Sequence, residues 1–287
     1  MRHIRKAMVG AALTLSAAVA QPQVTVESRS LQDKVHAFVA GITEGEVASF
    51  DDPLVVWRKP VCPLVAGLPQ EQGQYVFDRL TAALTRVGTT LGATGCRPNF
   101  FVVATPKPES VLNGVWNRRF KVFGDASPTL IKRFIETPRP VRIWYQTVPT
   151  SADGSPIGTT TQASNLTGSQ FDGTPTYEHE GNGLRAEFVS TNSLLAVIAV
   201  IDLTKVGGRD WGQVTDYVAM AGLAQIDLDA KLGETRTILR LFSSPDDAPG
   251  GLTDWDFAFL KSVNRTDPVS RHQRWHISEE MVEDLSH

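Results

Sequence analysis

The side chains best placed to do chemistry fall into two groups, Glu178-His179-Glu180 in a polar stretch and Asp254 with Asp256 further on. An imidazole between two carboxylates offers a metal ligand or a proton acceptor. Consecutive residues of an extended chain point to opposite sides, however, and zinc takes three or four ligands in a set geometry. The tripeptide therefore reads as a solvated polar loop, with a metal site as the alternative. Paired carboxylates suit glycoside hydrolysis when they face each other across about 5 to 9.5 Å, and spacing alone does not establish that. Capping already accounts for Asp256, which stands three residues after Thr253 as in a capping box. Asp246 and Asp247 read as loop residues, and His272 with His276 sit four apart in a weakly patterned tail.

Other reaction centres have no pattern in the chain. G-x-S-x-G, S-x-x-K, G-x-x-x-x-G-K-[ST] and G-x-G-x-x-G are all missing, which removes the elbow hydrolases and the phosphate-cradling loops. No residue is assigned a catalytic or metal-ligating role, and no cofactor is expected. The remaining alternative is a hydrolase whose site brings Glu178, Glu180, Asp254 and Asp256 together from distant segments.

The N-terminus carries Arg2, Arg5 and Lys6, then an apolar run from Ala7 to Ala20 that ends Ala18-Val19-Ala20. This is the pattern of a secretory signal (residues 1–20), with an uncleaved anchor as the alternative. The run is shorter than the ~20 residues a membrane span needs. No membrane span is expected once the signal is cleaved near Ala20, and the address is periplasmic or secreted in a bacterium. Losing three positive charges takes the formal net charge from −3 to −6, a balance that gives nucleic acid no basic patch. Cys62 and Cys96 then enter an oxidising compartment, where they are expected to bond to each other. A loop of that length stabilises the fold by about 3 to 4 kcal/mol in the chain-entropy model.

The elements that would position these residues follow from hydrophobic period. Residues 21–50 read as a partly ordered lead-in with one amphipathic patch, Val35, Phe38, Val39 and Ile42. A single domain is expected over 51–264. It opens with a strand from Leu54 to Ala66, which Pro60 and Pro63 confine to an edge or a bulge. A helix over Glu71 to Leu91 should end at Gly92, and Phe100 to Ala104 has the continuous hydrophobicity of a strand covered on both sides. Pro108 to Phe123 is helical in period. Ser127-Pro128 starts a short helix buried through Leu130, Ile131 and Phe134, and Val141 to Val148 alternates as a strand. The stretch 149–183 is rich in Gly, Ser and Thr and reads as a binding loop, a lid or a flexible insertion. A hairpin strand over Leu184 to Phe188 leads into the chain's longest apolar run, Leu194 to Ile201. The helix after that run is capped by Asp210, with Gln213 placed to reach back. Thr253 starts the last clear helix, and residues 265–287 read as a flexible tail.

This order resembles that of an uncharacterised secreted proteobacterial protein family. The residues that carry it are Trp57-Arg58-Lys59-Pro60, Pro98-Asn99-Phe100-Phe101-Val102-Val103, Thr237-Ile238-Leu239-Arg240-Leu241-Phe242 and Leu252-Thr253-Asp254-Trp255-Asp256. More distantly it is similar to the zincin-like metalloproteases. The resemblance covers about Leu54 to Val263 and implies an α+β fold, a mixed sheet of about five strands packed with helices. A zincin helix carries H-E-x-x-H, whose histidines share a face while the glutamate activates water. The corresponding helix here, Thr215 to Ala224, has no histidine, so the resemblance transfers architecture and no catalytic residue.

Together these readings describe a non-catalytic exported protein that binds or scaffolds an envelope protein or glycan, with 149–183 as its contact surface. The mature chain should begin at Gln21, and N-terminal sequencing of the exported protein checks this. An intact Met1 would mark an uncleaved anchor.

Overall fold

Leu194 to Ile201 is apolar without alternation, which suits a strand buried on both faces. The computed structural model describes residues 23–43, 54–118, 121–124, 126–150, 191–267, 270 and 272–287. In it this run is the middle of β5 (Thr191–Asp202), and every residue of the run is buried. The expected signal sequence, Glu178, His179 and Glu180, the 184–188 strand and nearly all of 149–183 lie outside the described residues. Pro149 and Thr150, expected to open that polar stretch, instead finish β4 (Val141–Thr150).

β5 organises the sheet. β4 runs antiparallel along one edge of it, pairing from Thr191 to Ile201. The other edge is shared by two parallel strands, β1 (Val56–Trp57) at Ser193 and Leu194 and β3 (Phe100–Thr105) from Val197 to Asp202. β2 (Pro63–Ala66) adds parallel to β3. The fold is thus a mixed, mostly parallel sheet of five strands with seven helices among the described residues. The expected single strand from Leu54 to Ala66 is two strands with different partners. Pro60 offers no N–H, and Val61 turns its own to Thr90 O, 2.8 Å away, so the chain leaves the sheet between them. Cys62 and Cys96 are bonded, with Cα atoms 6.1 Å apart, and fasten the start of β2 to the approach to β3.

Both faces are covered. Phe100, Val102, Ala104, Val197, Ala199 and Ile201 join the core under α2 (Gln70–Arg86), α5 (Trp211–Leu223) and α6 (Asp254–Arg265). Phe101, Ile198 and Val200 face the other way, under α3 (Pro108–Asn117) and α4 (Pro128–Glu136). Helix ends follow local chemistry. α2 stops at Gly88, not Gly92: Gly88 has φ +83°, its N–H donates to Thr85 O, and Thr89 N–H donates to Leu84 O, both at 3.0 Å. Asp210 caps α5 through Gly212 N and Gln213 N, whereas Gln213 Nε2 donates to Pro249 O and leaves the box open. Thr253 and Asp256 close theirs on α6.

The two ends of the chain are more ordered than composition suggests. The lead-in is α1 (Gln23–Thr43), with Val35, Phe38, Val39 and Ile42 buried. The expected flexible tail contains α7 (Gln273–Leu285), packed on α1 and α6. Its apolar stripe is narrow, Ile277 and Met281, and polar contacts supply the rest. Arg274 donates to Thr43 Oγ1 at 2.9 Å and to Thr43 O at 3.1 Å, a cation at the carbonyl end of α1. Gln273 Oε1 accepts from Leu54 N at 2.6 Å. Met281 is fully buried, so Met281→Ala should lower the unfolding free energy by about 2 to 5 kcal/mol. Urea titration checks this, and a flexible tail would give no change.

Candidate functional site

Asp254 and Asp256 do not face each other. Asp254 is exposed in the first turn of α6, while Asp256 is completely buried. The Asp256 carboxylate accepts from Ile238 N at 2.9 Å, Thr253 N at 2.8 Å and Thr253 Oγ1 at 2.9 Å, and from the Thr237 hydroxyl. Burial pushes its pKa up against the pull of these hydrogen bonds. The group fastens the Ile238–Leu241 turn to α6. Asp246 and Asp247 are both exposed. Among the described residues, no three or more His, Cys, Asp or Glu side chains are gathered as a metal would require.

Sites in α/β sheets commonly form at the carboxyl ends of the parallel strands, and here the polar groups in that region bond one another. Asp202 ends β5 with its side chain buried, accepting from Thr204 N at 3.0 Å, Thr204 Oγ1 at 2.6 Å and Lys205 Nζ at 2.8 Å. Arg79 forks onto Asp216, Nε to Oδ1 at 2.8 Å and Nη2 to Oδ2 at 2.7 Å, and Leu252 N also donates to Oδ2. Gly251 makes that approach possible, because a Cβ there would lie 2.6 Å from Asp216 Oδ2.

Among the described residues, one opening is a cleft of about 350 Å³ beside β4. Leu130, Arg133 and Phe134 of α4 form one wall, Gln225 to Asp229 form the other, and Thr137 and Arg139 flank them. β4 lines it with four consecutive residues, Arg142, Ile143, Trp144 and Tyr145. Successive strand residues point to opposite faces, so a cleft touched by four in a row follows the strand's edge. Among the described residues, no strand pairs with that edge. The ladder on the inner side shows what the edge offers. Asp202 N donates to Pro140 O at 2.8 Å, making that pair hydrogen-bonded, and antiparallel pairs alternate. The N–H and C=O groups of Val141, Ile143 and Tyr145 therefore point outward. The register shift between Gln146 and Thr147 interrupts this order.

The surroundings are aromatic and carry charges of both signs, Arg133, Arg139 and Arg142 with Asp227 and Asp229. Trp144 packs against Phe123 and Phe134, with ring centroids 5.2 and 5.1 Å away. Leu130, expected to be buried with Ile131, is 44% exposed at the rim: α4 rests on Ile131 and Ile135, which leaves Leu130 on its outer side. Arg142 is 1% exposed although its place in an alternating strand reads as solvent-facing. Its Nη2 pairs with Glu109 of α3, its Nε donates to Thr137 O at 2.9 Å, and its Nη1 has no partner. Trp144 Nε1, two residues on and on the same face, also lacks one. Arg139 pairs with Asp229 across the cleft, and Tyr145 OH donates to Ala221 O at 2.5 Å. The sequence signal for this site is an arginine and a tryptophan two apart in a strand, with Glu109 and Glu136 the acids of the covering helices.

No protein-family model, curated protein or solved structure matches the chain.

Burial disfavours the Asp202 charge, but Lys205 and Thr204 outweigh it and hold the carboxyl below its usual range. A lowered pKa adds stability above the ordinary carboxyl pKa, and that stability is lost as pH falls through the lowered value. Asp202→Asn should therefore cost about 1 to 2 kcal/mol at neutral pH, with the deficit shrinking below about pH 4. Paired urea titrations at several pH values check both.

Proposed function

We propose that the chain is a non-catalytic protein, exported to the bacterial periplasm or beyond, that binds or scaffolds an envelope component in the cleft beside β4. The observation that carries this reading is the contrast between the described polar groups. Asp202, Asp216 and Asp256 are held by hydrogen bonds within the fold, whereas the β4 edge, Leu130 and two buried N–H donors are left unused. The likeness to zincin-like proteins belongs to the same proposal and extends to architecture. α5, the counterpart of a zinc-bearing helix, has Gly212 and every residue from Val214 to Leu223 buried and carries no histidine. Among the described residues, no helix is long and apolar enough to cross a membrane.

Leu130→Asp places a charge on an already exposed side chain, so melting should not change. Retention of envelope components on the immobilised protein should fall at least ten-fold against the parent, read by quantitative mass spectrometry of the eluates. Equal retention by both proteins would remove the cleft as the contact surface.

A further inference from the structure

The cleft's position narrows the chemistry of its ligand. Ile143 and Tyr145 turn their N–H and C=O groups outward about 7 Å apart, the two-residue repeat of an extended chain. A polypeptide laid along the edge matches these donors and acceptors residue by residue, which is how strand addition gains affinity. A glycan would need an open aromatic face, and Trp144 is packed by Phe123 and Phe134 while Tyr145 is tied to Ala221. A second copy of this edge fits poorly, since each would arrive between its own two walls.

The charge is also specific. Arg142 is buried with one nitrogen unbonded, and Trp144 Nε1 is unbonded on the same face. A buried charged donor without a partner is costly, and a carboxylate supplies two acceptor oxygens. Arg133 and Arg139 also line the cleft, as do Asp227 and Asp229, and Arg139 is paired with Asp229, so the unbonded nitrogen of Arg142 is what favours an acid.

Resting on the binding reading above, we infer that the occupant is an extended segment of another protein, which adds to the free edge of β4 as a further strand and brings an acidic side chain to Arg142. Leu130 and Phe134 receive its apolar neighbours.

The probe is a phage-displayed library of random peptides of about ten residues, longer than a typical strand, selected on the whole protein with the Leu130→Asp variant as counter-target. Enriched peptides should share one Asp or Glu amid β-branched residues, and changing it to its amide should weaken binding about ten-fold. N-methylating alternate peptide amides in one register should weaken binding at least ten-fold, and in the other register it should not. Bound peptide should slow hydrogen exchange at the Ile143 and Tyr145 amides at least ten-fold, leaving the Arg142 and Trp144 amides, which face β5, unchanged. Failure to enrich any peptide, or binding that leaves Ile143 and Tyr145 unprotected, overturns the inference. So does protection in the free protein that is lost on deleting residues 151–190, which would make the occupant this chain's own segment. Protection that rises with protein concentration would make it a second copy. If peptides fail while Leu130-dependent retention survives, strand addition falls and the binding reading stands; if both fail, both fall.

Discussion

One requirement governs this molecule: β5 must be dry on both faces and bonded along both edges. Its run from Leu194 to Ile201 has no polar side to show to water, so a helical layer is needed above and below it. α2, α5 and α6 meet one demand, α3 and α4 the other. The edge requirement explains the unusual use of short strands. β1 and β3 divide one side of β5 between them, and β4 takes the whole of the other. A strand with that role has its inner groups committed and its outer groups paired with no other described strand, and the candidate site arises from that geometry rather than from any catalytic motif.

Three of the buried polar groups follow one rule. Asp256 joins a turn to a helix, Asp216 joins α2 to α5 through Arg79, and Arg274 joins α7 to the end of α1. Each spans segments far apart in the chain and is satisfied by more than one partner, as burial of a charge demands. Arg58, Trp144, Ser262 and Glu280 each keep one buried polar atom without a partner, and so does Arg142. Arg142 is as deeply placed as Asp256, Asp216 and Arg274, yet one of its nitrogens has no acceptor. Such a lapse is costly in a core and informative beside an opening.

Some of this was legible in the residues. β5, β3 and the helix read at 71–91, observed at 70–86, follow from apolar period, and the disulfide follows from two cysteines and from reading the N-terminus as a signal. Caps at Asp210 and Thr253 were readable because a cap is a local bond. Where the reading fell short, two local signals competed or the deciding partner was distant. Two glycines follow α2, and only the bonds of Gly88 and Thr89 back to that helix select the first. The division at Pro60 depends on Val61 finding Thr90, and the order in α7 depends on Thr43 and Leu54. The cleft was hidden for the same reason. Alternation reveals which face of a strand is buried, whereas an edge is defined by which neighbour is missing, and that belongs to the assembled sheet. Of the residues first singled out for chemistry, Asp256 proves to be a cap and Asp254 a surface residue.

α1 has a consequence for how the chain is made. Phe38 packs edge-on against Trp255 and Phe259, with centroids 5.6 and 6.1 Å away, and α1 lies along α7. The partners of this helix thus lie far along the chain, in α6 and α7. During vectorial synthesis its apolar stripe has nothing native to dock on until Trp255 and Phe259 have been made. The nascent polypeptide cannot close this contact early, and the apolar stripe of α1 stays without its native cover while the intervening chain is made.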